Sequence, residues 1–358
     1  MPKFTPEKLT RTVEKVFTAA RSPREEAEWV AYSLVRANLL GLDSHGVIRV
    51  PAYIRQVHKG EIVPGAKIEI ERETPSSAIL NGNWGYGQMT GKRATEVAIV
   101  KAKKCAISCV GTHNSNHMGR IGDYAEMVAR QGMIAIAMVN NHGGGQCMTP
   151  FGGRARRLSP NPIAAGLPTG DGDPIVVDVT SSVAAEGKVR VLRNKGQKLP
   201  EGWIIDCKGR PSTDPNDFYG RSEKIVGAGA PEDAGALLPF GGAVGYKGFA
   251  LAMLVDILCG ALTGAGCSRQ NPKRIGNGLM IIVMDIEKLT PVDQYRSEVQ
   301  GLVKYVKSAP LAPGFQEILL PGEPEQRTER KRRAVGIVID DETWRQVKEA
   351  AQSVGVTV

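Results

Sequence analysis

The chain has 358 residues, 42% hydrophobic and 23% charged, a globular composition with apolar material for two or three packed units. A net charge of +9 is spread along the sequence and aromatics reach only 5%, which argues against the concentrated, aromatic-studded basic face of a nucleic-acid binder. The absence of any run of about 18 apolar residues argues against a membrane span.

The first residues, Met1 to Lys8, lack the apolar run of a signal peptide. The six Cys form no CxxC pair, which suggests free thiols in a reducing compartment, so a cytoplasmic protein is expected.

In chain order, residues 6–40 are helical in pattern. Ser22-Pro23-Arg24-Glu25 reads as an N-cap followed by Pro at the first helical position, and Gly41 as the stop. A second helical stretch covers about Val47 to His58. From residue 76 short strands and helices alternate: strands at 78–80, 106–110, 133–139, 175–179, 203–206 and 279–284, and helices at 89–104, 121–130 and 246–262. Amphipathic helices at 291–307 and 342–353 follow. The mixed order predicts an α/β or α+β fold, with helical segments at both chain ends packing as one unit.

No Gly-x-Gly-x-x-Gly stands between a strand and a helix; Gly227-Ala228-Gly229 and Gly264-Ala265-Gly266 both lack its third glycine. A dinucleotide must therefore bind by other means. Ser44, His45, Arg49 and Tyr53 form one constellation, with the last three four residues apart, as on one helical face, although Pro51 favours a kink or a first-turn position. Arg can grip a carboxylate bidentately and a near-neutral His can exchange a hydroxyl proton, the needs of a 2-hydroxy acid site. An exposed helix start capped by Ser44 is the bland alternative.

Asn114-Ser115-Asn116-His117-Met118-Gly119 follows a strand and precedes a helix, where α/β proteins place ligand loops. It offers a second acid/base candidate in His117, with Asn116 as a polar positioner; plain helix capping is the alternative. Cys105, Cys109, His113 and His117 repeat every four residues, but a strand-then-loop path would scatter them, so no zinc site is expected. Lys247-Gly248 opens a long apolar helix after a Gly-rich turn, a reasonable phosphate cradle or simply a helix start.

These segments together resemble the malate/L-lactate dehydrogenase family of type 2. The resemblance rests on Asp43-Ser44-His45-Gly46 with Arg49 and Tyr53, the His117 loop, Ser159-Pro160-Asn161-Pro162 and Asp178-Val179-Thr180-Ser181. It also rests on Tyr246-Lys247-Gly248-Phe249, Gly260 to Gly264 and Leu320-Pro321-Gly322-Glu323, so it spans nearly the whole chain. The 114–122 loop and the stretch from Leu320 resemble its hydroxycarboxylate dehydrogenase B members.

The resemblance implies a mixed, mainly antiparallel sheet with flanking helices, a non-Rossmann NAD(P)-binding domain over residues 76–289. Residues 1–75 with 290–358 would form a helical, substrate-side and dimerisation domain. It further implies NAD or NADP, a small carboxylate substrate, a homodimer, and neither nucleic acid nor membrane as partner. His45 or His117 would transfer the proton, Arg49 hold the carboxylate, and Ser44 and Tyr53 complete the pocket, with Asn116 and Met148 on the substrate side. Asn161, Asp178, Thr180, Ser181, Lys247, Gly248, Gly322 and Glu323 would bind the cofactor. The implied reaction is hydride transfer between a 2-hydroxycarboxylate and its 2-oxo acid; the alternative is reduction of a cyclic imine carboxylate.

Two departures bear on the substrate: Ser159-Pro160 stands where the family commonly has Gly-Asn or Gly-Thr, and the loop from His142 to Met148 brings a further His.

Overall fold

The computed structural model describes residues 1–143, 145–170, 172–220, 233–270 and 272–358. A seven-stranded sheet runs through the middle, in the order Glu69–Glu73, Ser77–Asn81, Ile107–Ser115, Asn277–Asp285, Met133–Asn141, Pro162–Leu167 and Ile175–Thr180. Only Ser77–Asn81 and Ile107–Ser115 pair in parallel, across the helix Gly87–Cys105; every other pairing is antiparallel. The sheet is therefore mixed and mainly antiparallel.

Strand Asn277–Asp285 lies between two long neighbours and is apolar on both faces. Leu279, Ile281 and Val283 alternate with Met280 and Ile282. The first set meets Ala98 and Ala102 of the helix Gly87–Cys105 and Tyr124, Ala125 and Val128 of the helix Gly122–Ala129. The second meets Val255 and Cys259, on the far side of the sheet. Helix Gly122–Ala129 sits so close that a Cβ on Gly166 would fall 2.1 Å from the Ala125 carbonyl oxygen.

A separate core joins the two chain ends. Helices Pro6–Ala19, Arg24–Leu39 and Val50–His58 pack with Asp341–Ser353 and the strand pair Lys3–Phe4 and Ile337–Val338 around Leu9, Phe17, Leu34, Ile54, Tyr86 and Val347. Thr5 caps the first helix through Lys8 N and Asp340 caps the last through Thr343 N. A third core, around Leu158, Leu199, Ile204 and Phe218, underlies helices Glu186–Asn194 and Pro215–Tyr219 and a small three-stranded sheet.

Several sequence readings change. Ser22 does not cap the second helix: Pro23 is its N-cap residue and no side chain caps it, while Ser22 Oγ lies 2.8 Å from Tyr86 Oη. The 246–262 segment is α-helical only over Tyr246–Asp256 and then widens to a π-turn at Ile257–Ala261, where Leu262 N donates to the Ile257 carbonyl. Several elements escape the periodicity reading, helix Glu186–Asn194 among them. Strand Glu69–Glu73 is exposed throughout and mostly charged, strand Pro162–Leu167 opens on a proline, and helix Glu323–Val335 buries no residue. That helix carries the basic run, with Arg327 paired to Glu317, Arg330 to Asp173, Arg332 to Asp43 and Arg333 to Glu329. Among the described residues, no helix is long and apolar enough to cross a membrane.

The helical layer docks on the sheet through a buried charge cluster. Arg36 reaches Asp123 at 3.3 Å and Glu126 at 2.7 Å, and Arg120 reaches Asp123 at 2.7 Å. Removing Arg36 takes one cation from a buried cluster in which Asp123 keeps Arg120 and Glu126 keeps Arg120 and Arg130. Arg36→Ala should therefore cost about 1–3 kcal/mol, below the loss for a fully unpaired buried charge, read from a shift in the denaturant midpoint. An unchanged midpoint would assign the docking to apolar contacts alone.

Candidate active site

The Asp43–Gly46 segment does not lie on one helix with Arg49 and Tyr53. A 3-10 turn, Asp43–His45, passes through Gly46 into a second, Val47–Arg49, and the α-helix begins only at Val50, with Pro51 in its first turn. Asn38 organises this path. Its Nδ2 donates to Asp43 Oδ1 at 2.6 Å and its Oδ1 accepts from Val47 N at 2.9 Å. A Cβ on Gly46 would stand 2.3 Å from that Oδ1, so the turn requires glycine there. Asp43 also accepts from Arg332 at 2.7 and 3.0 Å. The two outer residues of the motif thus hold the backbone and leave Ser44 and His45 for chemistry.

Ser44 Oγ lies 3.1 Å from His45 Nδ1. Arg49 Nε donates to the Ser44 carbonyl at 2.7 Å, and no other hydrogen bond of its guanidinium is seen among the described residues. The rings of His45 and His117 stack, with centroids 5.6 Å apart and planes 22° from parallel. Two histidines 72 positions apart thereby form one pair.

His117 is carried by a tightly held loop. The Asn116 amide donates to the carbonyls of Glu61, Trp84 and Gly85 at 2.7 to 3.0 Å. A Cβ on Gly87 would lie 2.3 Å from the carbonyl oxygens of both Asn116 and His117. Tyr53 Oη is 2.6 Å from His117 Nδ1, and Gln88 Nε2 donates to Tyr53 Oη at 2.9 Å. Three of the residues expected on the substrate side make contacts within the protein. Asn116 spends its amide on the backbone, the Tyr53 hydroxyl is taken up by two side chains, and Met148 is wholly buried in the third core. Gln88 has no distinguishing sequence signal, because its partner Tyr53 lies 35 residues away.

The pair is kept uncharged. Burial, then Arg49 and Arg120, push His45 down to about 3. Burial, then Arg49 and His45, hold His117 well below the usual imidazole range. Burial also pushes the Tyr53 phenol up to about 12. The pocket presents neutral imidazoles beside a permanent cation.

The expected cofactor residues divide. Asp178 Oδ2 accepts from Gly122 N at 3.1 Å and lies 3.5 Å from Arg120 Nε; burial pushes its carboxyl up to about 6. Thr180 turns its hydroxyl to Ser182, whereas Ser181 Oγ is buried without a hydrogen-bond partner. Gly248 packs where a Cβ would meet the Phe240 and Ser181 carbonyls at 2.5 and 2.9 Å, and Lys247 beside it is exposed.

Asn161 departs from its expected role. It is fully buried, its Oδ1 accepting from Asn141 N and its Nδ2 donating to the Ala252 carbonyl. Glu323 is occupied by Lys307 and Leu320 N, and Gly322, at φ +94, rests on Val176.

His142 is buried with Nε2 unpartnered, at the end of its strand near Gly276 and Trp84. Gly144 and the 227–229 glycine stretch lie outside the described residues. The four residues of the zinc reading face different neighbours: Cys105 is exposed, Cys109 lies by Met280, His113 bonds Glu71 and His117 bonds Tyr53.

A depressed His pKa has a definite sign for stability. The unfolded imidazole takes a proton near 6.5, whereas the folded His45 refuses it until about 3. Its contribution is complete above pH 6.5 and is lost as pH falls toward 3. The melting temperature should fall from pH 7 to pH 5, with a shallower slope in His45→Gln. Equal slopes would contradict a neutral, enclosed His45.

The chain matches the malate/L-lactate dehydrogenase family over residues 4–348. It is 36% identical to a malate dehydrogenase of Pyrococcus abyssi, covering 98% of this chain and 94% of that one. It is 33% identical to hydroxycarboxylate dehydrogenase B of Escherichia coli K12, covering 99% and 95%. Its fold superposes on the structure of a putative malate/lactate dehydrogenase from E. coli with a TM-score of 0.90 at 32% identity, over 99% and 96% of the chains. A piperideine-2-carboxylate reductase structure from Pseudomonas syringae is also similar, at TM-score 0.80 and 27% identity over 98% and 100%. With the family match over residues 4–348 and full-length similarity at 36% identity, the chain belongs to the malate/L-lactate dehydrogenase family of oxidoreductases.

Proposed function

We propose that this chain interconverts a small 2-hydroxycarboxylate and its 2-oxo acid, using NAD or NADP. One observation carries the reading: two neutral, stacked histidines stand with Arg49, whose guanidinium is engaged only through Nε among the described residues. Arg49 holds the substrate carboxylate and thereby fixes C2 against the histidine pair. A ring nitrogen of His45 or His117 exchanges the proton at the C2 oxygen. Ser44, hydrogen-bonded to His45, orients that ring.

The residues present fit a nicotinamide dinucleotide. Helix Tyr246–Asp256 begins without a side-chain cap, Lys247 is exposed in its first turn, and the buried Ser181 Oγ lacks a partner. Lys247, Gly248, Thr180 and Ser181 would hold it, with Asp178 nearer the histidines. When bound, the nicotinamide supplies or accepts the hydride at C2.

The same reading places cofactor binding in residues 76–289 and the helical, dimerising unit in residues 1–75 with 290–358, in a cytoplasmic homodimer. Six free cysteines accord with a reducing compartment.

The test is a panel of 2-hydroxy acids, malate and lactate among them, with NAD+ and NADP+, and the matching oxo acids and a cyclic imine carboxylate with NADH and NADPH. Turnover of a hydroxy acid and its oxo acid is expected. His45→Ala or His117→Ala should lower kcat by about 10²–10⁴ with cofactor affinity preserved. Unchanged turnover in both variants would overturn the assignment, and turnover of the imine alone would move it to imine reduction.

A further inference from the structure

We infer that Gln88 is a positioning residue: through Tyr53 it fixes which nitrogen of His117 carries the proton, and places that proton on Nε2. The catalytic consequence rests on the function proposed above; the tautomer itself does not.

Gly119 supplies the first constraint. Its backbone N–H can only donate, and it points at His117 Nδ1 over 3.3 Å. That long, weak contact marks Nδ1 as the accepting side of the ring, and the short bond from Tyr53 is what holds the tautomer there. Tyr53 Oη lies 2.6 Å from the same nitrogen, so the tyrosine must be the donor in that bond. Having given its hydrogen to His117, the Tyr53 oxygen accepts one, and Gln88 Nε2–H supplies it at 2.9 Å. Amide, phenol and imidazole thus form one directional chain, and the neutral ring keeps its single proton on the opposite nitrogen.

Gln88 Oε1 is the unsatisfied end of this chain. Gln88 is completely buried, yet this oxygen has no hydrogen-bond partner. A buried carbonyl without a donor is a cost that local stability does not explain. With the amide's oxygen and nitrogen interchanged Tyr53 would donate to Gln88, so the direction of the chain rests on the Gly119 N–H and not on this oxygen. The side chain is also hemmed in, since a Cβ on Gly119 would approach its Nε2 to 3.5 Å and its Cγ to 3.4 Å. The main chain of Gln88 is anchored as well, its carbonyl accepting from Trp29 Nε1 at 3.0 Å.

Among the described residues nothing hydrogen-bonds His117 Nε2. An Nε2–H on a neutral ring is a hydrogen-bond donor, suited to the 2-oxo oxygen on which negative charge grows as C2 is reduced. Gln88 touches neither substrate nor cofactor on this account and acts only through Tyr53 and His117.

Long-range 1H–15N spectra of protein labelled at its five histidines read the tautomer directly, with His117 assigned by its loss in His117→Gln. Wild type should show His117 as a single Nε2–H tautomer near pH 7. In Gln88→Met, and in Tyr53→Phe, the Nδ1–H form should appear while the circular dichroism spectrum is retained. Reduction of the best oxo acid should then fall about tenfold or more in kcat. An Nδ1–H tautomer in wild type overturns the inference, as does a tautomer unchanged in the folded variants. Tyr53→Phe, which removes one oxygen, decides the matter if Gln88→Met does not fold. None of the spectra requires a substrate, so a failed activity panel and a failed tautomer assignment are separate results.

Discussion

The site depends on one hydrogen bond, that between Tyr53 and His117. Tyr53 belongs to the core built from the two chain ends, and His117 to the loop that leaves the central sheet. The bond crosses between these bodies and sets the distance at which His45 and His117 stack. The surrounding structure serves to keep it in register. Asn116 pins the loop to three carbonyls, Gly87 lets the helix start approach that loop, and Asn38 folds the His45 turn back through the space left by Gly46. A pocket assembled at a junction in this way is sensitive to displacements of a few tenths of an ångström, which is why glycines stand at its closest approaches.

The charges obey the same division. Arg36 and Arg120 are buried and matched by Asp123 and Glu126, so they dock the helical layer without leaving a field uncompensated. Arg49 has no such carboxylate partner among the described ion pairs, and it depresses the proton affinity of both histidines. On the proposed function, an arriving carboxylate would meet Arg49, without a carboxylate partner among the described residues, and two neutral rings. Binding the anion would itself raise the proton affinity of the rings. On the same proposed function, substrate binding and readiness to take a proton would be coupled through Arg49.

Much of this was legible in the sequence, and the failures have identifiable causes. Five of the central sheet's seven strands and most helices at both ends follow from hydrophobic spacing, and Ser44, His45, Arg49 and His117 stand out as chemistry-bearing groups. The four-residue spacing of His45, Arg49 and Tyr53 misleads about the path, because Gly46 breaks the helix that spacing alone implies. Met148 and Asn161 sit in pocket-like sequence surroundings yet point into cores, a distinction decided by distant partners such as Leu237 and Ala252. Gln88 and Asn38 act through contacts that periodicity does not carry, and the matched pairing of helix Glu323–Val335 depends on acids far along the chain.

The central claim is that Tyr53 acts on the reaction through His117 and not through the substrate. A double-mutant cycle on kcat/KM with Tyr53→Phe, His117→Ala and the combined variant measures this directly. The account predicts that the double variant is no slower than His117→Ala alone, so the loss from Tyr53→Phe vanishes once the imidazole is gone. Fully additive losses would mean that the tyrosine contributes independently, and would contradict it.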